Sequence, residues 1–474
     1  MAGRYERGDE IPQMRSYTPQ RTRSGGLGRT LAWLVLAGSM GVLFAALAGP
    51  VILPFVARLI PSRYIVAYAP EPIQEMAFDV DPQQVLPTVA SDDSQAEALL
   101  QAVAPTATLV PVTQEAAAAP AEPAFVQPTP AAVAPTPTVT PAYVPPAANR
   151  AVEDGDPAQL EAASTLLTGF SHTYQGWNNC GPATITTTLS YYEEGLTQNE
   201  AANFVKPNPE DRNVRPDELA AYVRSTGYVA TVRVNGDLQL LKTLIRSGFP
   251  VVVEKGFDPE PDRLGWMGHY LLLTGYSDAD QQFVTMDSYL GPNRGIGYAD
   301  LDKFWRQFNR TYIVVHRLDQ TAAVASIIGE DMDDLTMYTN ALYTAQAEIN
   351  LNNNDGFAWF NLGTNLVWLG RYQQAAQAFD EARRAGLPWR MLWYQFGPYE
   401  SYYRVGRYED VLTLADATLA NNPEAEESYY YKGLVYMDRA QLPAAKREFE
   451  RALRKNTGYT EAQQMLDQVN AQLG

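Results

Sequence analysis

The chain has 474 residues, 46% of them apolar, which is enough for two or more packed cores. Its formal net charge of −18 excludes nucleic-acid binding, because phosphate contacts need a basic face. A single cysteine and three scattered histidines, His172, His269 and His316, exclude an internal disulfide and any zinc-type ligand spacing, so no metal or cofactor is expected.

Residues 1–29 form a basic tail carrying Arg15, Arg21, Arg23 and Arg29. From Thr30 to Ala57 no residue is charged, and the apolar run predicts a transmembrane helix within 30–60, since a span takes about 20 residues. A cleavable signal peptide is the rival reading, with Ala46-Leu-Ala48 as its cleavage site; the long apolar continuation favours a retained anchor. The basic flank places the N-terminus in the cytoplasm and the rest of the chain outside, as a single-pass protein of a bacterial-type cell membrane. Residues 61–154 are rich in Pro and Ala, and between 64 and 149 there is no Lys or Arg. That composition predicts a disordered linker acting as a stalk.

A globular domain is expected over 155–318. Its first signal is Gln175-Gly-Trp-Asn-Asn-Cys180-Gly-Pro-Ala, where a loop runs into a helix with Pro182 in the first turn and Ile185, Leu189 and Tyr192 facing inward. A cysteine at a helix start has its thiolate favoured by free backbone N–H groups and the helix dipole. Thr197-Gln-Asn-Glu200 is a capping box for a second helix, and Arg215 to Arg224 reads as a third. A strand follows at Tyr228 to Val234, a helix from Asp237 to Ser247 and a strand from Pro250 to Glu254. The apolar runs from His269 to Tyr276 and Phe283 to Asp287 read as neighbouring buried strands joined by a hairpin loop. A helix from Leu301 to Asn309 and a strand from Thr311 to Arg317 close an α+β domain with a mostly antiparallel sheet.

After a linker at 319–334, residues 335–474 are helical and repetitive. Gly363, Ala375, Phe379 and Ala382 recur at the same offsets as Gly433, Ala445, Phe449 and Ala452, and Gly370-Arg-Tyr372 is echoed by Gly406-Arg-Tyr408. With Trp359-x-x-Leu362-Gly363 at its start, the unit resembles a tetratricopeptide repeat, an all-α solenoid of helix pairs. The middle unit, about 390 to 423, is degenerate: Tyr399 stands at the Gly position and Val411 at the first Ala.

A thiol nucleophile needs a base and a group to orient it. His269 opens its strand after Gly265-Trp-Met-Gly268, and Asp287 ends the next, so adjacent strands can hold the two together. Gln175 stands just ahead of the cysteine, where an oxyanion hole needs an amide. His172 is an alternative base or a loop histidine, and His316 reads as a packed or edge residue of a strand. Asp258, Glu260, Asp262 and Arg263 are expected in a solvated loop at the rim.

Gln175-x4-Cys180-Gly-Pro-Ala, Gly268-His-Tyr-Leu-Leu-Leu-Thr-Gly-Tyr276 and Val284-Thr-Met-Asp287 together resemble the papain-like cysteine peptidases related to those that remove double-glycine leaders from bacteriocins. The resemblance covers roughly 165 to 318. It implies Cys180 as nucleophile, His269 as general base, Asp287 as its orienter and Gln175 as oxyanion donor. One departure is the glutamine, which in that family usually lies six residues before the cysteine, a position held here by Tyr174. A second is that this sequence carries no ATPase P-loop and no six-helix membrane region, so a leader-peptide substrate has no support. The expectation is a membrane-anchored extracytoplasmic cysteine peptidase acting on a peptide or protein substrate, with a protein partner bound through the repeats. A non-catalytic peptide-binding scaffold and an acyl-transferring papain-like enzyme are the alternatives.

Overall fold

The computed structural model describes residues 85–89, 93–103, 163–258 and 265–474. The predicted basic tail and transmembrane segment, most of the linker and the rim residues Glu260, Asp262 and Arg263 lie outside them. Among the described residues no helix is long and apolar enough to cross a membrane. Both folded regions belong to one compact unit, Ala57–Gly474.

Within the predicted linker the structure differs in two stretches. Asp93–Val103 is a helix (α1), and Val85 bridges Pro388 of the repeat region. Leu86, Leu99 and Val103 are buried in the same core as the first repeats. Gln346 Nε2 donates to Leu100 O at 2.9 Å, and Arg383 Nε to Pro87 O at 2.8 Å. Composition alone predicts extended chain here; a few apolar side chains at helical spacing find a ready-made surface and fold onto it.

The α+β region begins with a short strand, β1 (Ser164–Leu166), and three helices, α2 (Cys180–Ser190), α3 (Gln198–Val205) and α4 (Pro216–Ser225). Helix α3 starts with the predicted box, Thr197 accepting from Glu200 N and Glu200 accepting from Thr197 N. Next come β2 (Val229–Arg233), α5 (Leu238–Arg246), β3 (Val251–Phe257), β4 (Met267–Ser277), β5 (Gln282–Asp287), β6 (Gly291–Gly297), α6 (Tyr298–Trp305) and β7 (Tyr312–His316). The sheet runs β2-β7-β3-β4-β5-β6 with β1 added to β4, and every pairing is antiparallel. One face is covered by α2, α3 and α4 through Ile185, Leu189, Leu219 and Val223. The other is covered by α5 and α6 through Leu241, Leu244, Ile245, Leu301 and Trp305.

The segment 319–334, expected as linker, includes helix α7 (Thr321–Ile328), with Val324 and Ile328 buried beneath the sheet. Helix α8 (Asp334–Leu351) leads into three helix pairs: α9 (Gly356–Trp368) with α10 (Tyr372–Ala385), α11 (Gly397–Arg404) with α12 (Tyr408–Asn421), and α13 (Glu426–Asp438) with α14 (Leu442–Lys455). Helix α15 (Thr460–Leu473) ends the array. The repeated Gly and Phe positions meet physically: a Cβ on Gly363 would stand 2.7 Å from the Phe379 ring, and one on Gly433 2.5 Å from Phe449. Only glycine permits that approach.

The two regions are joined by polar and aromatic contacts. Arg306 pairs with Asp355 at 2.7 Å, Arg310 with Glu348 at 2.7 Å, and Asn309 donates to Asn365 at 2.7 Å. Trp266 packs against Phe308, Phe357 and Tyr394.

Candidate active site

Helix α2 begins at Cys180 because the preceding loop is tied down on both sides. Gln175 N donates to Ser288 O at 2.9 Å, and Gly176 N donates to Gln198 Oε1 at 2.7 Å. Gln198 Nε2 in turn donates to Tyr174 O at 2.8 Å. Asn178 takes a left-handed conformation with φ of 53°, which asparagine tolerates, and its carbonyl accepts from buried Lys206 at 3.0 Å. Gly181 lies close against Tyr270 and Leu219, and Thr184 donates to Tyr270 O at 3.2 Å. These contacts seat the start of α2 on strand β4.

The structure brings Cys180, His269 and Asp287 together. His269 on β4 and Asp287 at the end of β5 are both 3% exposed, and His269 Nε2 is 3.1 Å from Asp287 Oδ1. That bond leaves Nδ1 for the hydrogen bond between His269 and Cys180. The same Asp287 oxygen accepts from Tyr289 N at 2.7 Å and Leu290 N at 2.9 Å. Phe257 stacks on the imidazole with centroids 4.7 Å apart.

The electrostatics follow from that geometry. Burial opposes charge on His269, but the Asp287 carboxylate and its hydrogen bond outweigh it, with Cys180 adding to them, and raise the imidazole to about 9. Burial also opposes ionisation of Asp287, yet the His269 charge and hydrogen bond and the Leu290 and Tyr289 N–H groups hold it at about 2. Burial pushes the Cys180 thiol up, while His269 and the backbone at Tyr270 and Gly181 bring it below its ordinary value. The arrangement favours a thiolate beside an imidazolium.

Gln175 is tied to the residue that follows Asp287: Ser288 Oγ donates to its Oε1 at 2.9 Å, which leaves Nε2 as the donating end. His172 is no partner of the thiol in these contacts: its Nε2 is 2.8 Å from Asp287 O, and it braces the aspartate's backbone. His316 is buried in β7 between Thr231 and Arg317, away from the cysteine. Sequence reasoning missed Gln198, Asn178 and Tyr394. A small cleft opens at Cys180, and Asn178, Glu254, Gly268, Tyr270 and Tyr394 are among its walls. Among the described residues no cluster of His, Cys, Asp or Glu has the geometry to hold a metal ion.

Residues 165–316 match the family described as Peptidase_C39 like. The segment is therefore a C39-peptidase-like domain. No curated protein matches the chain. Among solved structures, a protein described as a C39-like peptidase from Bacillus anthracis is 14% identical, covering 32% of this chain and 98% of its own with a TM-score of 0.28. The peptidase domain of Streptococcus ComA, a bifunctional ABC transporter of a quorum-sensing pathway, is 14% identical over 32% of this chain and 99% of its own, with a TM-score of 0.26. MamA from Desulfovibrio magneticus RS-1 is 22% identical over 29% of this chain and 76% of its own, with a TM-score of 0.27. The family match over the C39-like domain carries the assignment, and the helix pairs at 356–455 fit repeats.

Proposed function

We propose that this chain is a cysteine peptidase that hydrolyses peptide or related amide bonds, held at the outer face of a membrane by its N-terminal segment. The observation that carries the reading is the Cys180, His269 and Asp287 alignment at the start of α2, with the imidazole held charged beside the thiol. The Cys180 thiolate attacks the scissile carbonyl, forming a C–S bond, and the carbonyl electrons move onto oxygen. Gln175 Nε2 and the Cys180 backbone N–H receive that oxyanion. Protonation of the leaving amine by His269 breaks the C–N bond and leaves a thioester. His269 then removes a proton from water, which attacks the thioester carbonyl; the C–S bond breaks, releasing the carboxylic acid and restoring the Cys180 thiolate beside protonated His269. Asp287 keeps the imidazole oriented through both steps.

The extracytoplasmic placement rests on the charge asymmetry about the apolar segment at 30–57. The repeat region supports a role in binding protein, because stacked helix pairs present extended surfaces. Incubation of the protein with a peptide library, followed by mass spectrometry, tests the chemistry. Products carrying one added water, absent with Cys180→Ala, are expected. Ligated products would establish acyl transfer in place of hydrolysis, and no Cys180-dependent product would refute the enzyme reading.

A further inference from the structure

The cleft at Cys180 is not built by the C39-like domain alone. Tyr394, which follows the 3-10 turn Trp389–Trp393 joining the first repeat to the second, forms one of its walls. A Cβ on Gly268 would stand 3.0 Å from Tyr394 Cδ1 and Cε1, so the residue preceding His269 lacks a side chain where the tyrosine ring lies. Burial raises the phenol to about 12, so it is neutral near pH 7, and its oxygen meets the Gly268 backbone.

The ring is held in place from several directions. It stands edge-on to Trp266, 5.8 Å between centroids, and to Phe308, 5.9 Å. Gln395 Nε2 donates to Gln307 O at 3.1 Å, and Arg390 donates to Trp266 O at 3.2 Å. An aromatic wall fixed in this way is preorganised for a ligand.

A second observation comes from the same cleft. Asn178 Nδ2 is buried without a hydrogen-bond partner, although Asn178 lines the cleft two residues before the nucleophile. A buried orphan donor is destabilising, and a peptide carbonyl entering the cleft would relieve it. We infer that the substrate-binding site is composite: Asn178 Nδ2 donates to a carbonyl of the bound peptide, and Tyr394, supplied by the repeat region, packs against that peptide and orients it over Cys180. The inference rests on the peptidase reading and adds the repeat region to its substrate site.

The test compares two reagents that attack the same sulfur, using the whole chain. Iodoacetamide reads the thiolate, and alanyl-alanyl chloromethyl ketone reads the thiolate plus the peptide site; in each the sulfur displaces halide and a C–S bond forms. The ratio of peptidyl to small-reagent rates is expected to fall about tenfold in Tyr394→Ala and in Asn178→Gly, the loss of roughly one good contact. Glycine keeps the left-handed backbone available at 178. Tyr394→Phe, which keeps the ring, should lose less than Tyr394→Ala. An unchanged ratio in the Tyr394→Ala and Asn178→Gly variants would overturn the inference, as would an equal fall of both rates, which would assign the residues to holding the triad instead. Slow labelling of the parent by iodoacetamide would sink the ion-pair reading separately, while the ratio would still decide the composite site.

Discussion

Replacement of Asp287 by Asn removes one charge and little else. The amide retains an oxygen to accept from Tyr289 N and Leu290 N, so the turn after β5 is kept. What disappears is the charge that offsets the burial of His269 and holds it at about 9 instead of 6.5. A difference of that size corresponds to about 3 kcal/mol favouring the imidazolium. In Asp287→Asn burial is opposed only by Cys180 and the hydrogen bond to the amide oxygen, so the imidazole is expected to be neutral at and above ordinary histidine values, and the thiolate loses its counter-ion. The assay is the second-order rate of Cys180 alkylation by iodoacetamide from pH 4 to 10. The parent should label rapidly in mildly acidic solution. The variant should follow a single ionisation near or above ~8.5, with its rate at pH 6 lower by roughly 100-fold. Superimposable profiles would refute the assignment of Asp287 as the source of the paired state.

The pH dependence of stability has a definite sign. The folded value for His269 lies above its ordinary 6.5, so its contribution is full below 6.5 and is lost as pH rises through about 9. Asp287 lies below its ordinary 3.8, so its contribution is present above 3.8 and is lost as pH falls through about 2. The Tm difference between the parent and His269→Ala should therefore narrow between pH 6.5 and 9; a difference that widens there contradicts the pairing. Gln198→Ala removes the ties to Gly176 N and Tyr174 O. A stability loss of about 1–3 kcal/mol in urea melts, with slower Cys180 labelling, is expected. Gly433→Ala drives a methyl into Phe449 and should cost roughly 1–3 kcal/mol by overpacking. Gly458→Ala, whose nearest contact is Asn456 Oδ1 at 3.4 Å, serves as the control and should be far milder.

Much of the fold is legible in the sequence where local signals and burial agree. Thr197 and Glu200 cap their helix because the two side chains need only each other's backbone. His269 and Asp287 meet because two apolar runs separated by a short polar loop have little choice but to pair. Strand β6 is not legible, since Gly291, Gly295 and Gly297 read as turn; its pairing with β5 and the exposed positions of an edge strand explain it. Gln198 was equally hidden. It reads as an ordinary first-turn residue of a helix, and its task, fixing the loop 22 residues before it, exists only in the tertiary structure.

The most instructive departure is the middle repeat. A tetratricopeptide unit is expected to have a small residue where Tyr399 stands, and the sequence pattern breaks from about 390 onward. The structure gives the break two physical grounds. Tyr399 is fully buried, and its hydroxyl bonds Thr418 and Ser428 at 3.0 Å each, so the bulky residue is a satisfied part of the core. The turn before it carries Arg390 and Trp393 to the C39-like domain, with Arg390 donating to Trp266 O and Arg212 5.0 Å above the Trp393 ring, and delivers Tyr394 to the cleft. A regular helix in that position would continue the solenoid but would not reach Gly268. Local rules are expected to fail where a chain has a second task, and here they fail in the repeat that touches the nucleophile's cleft.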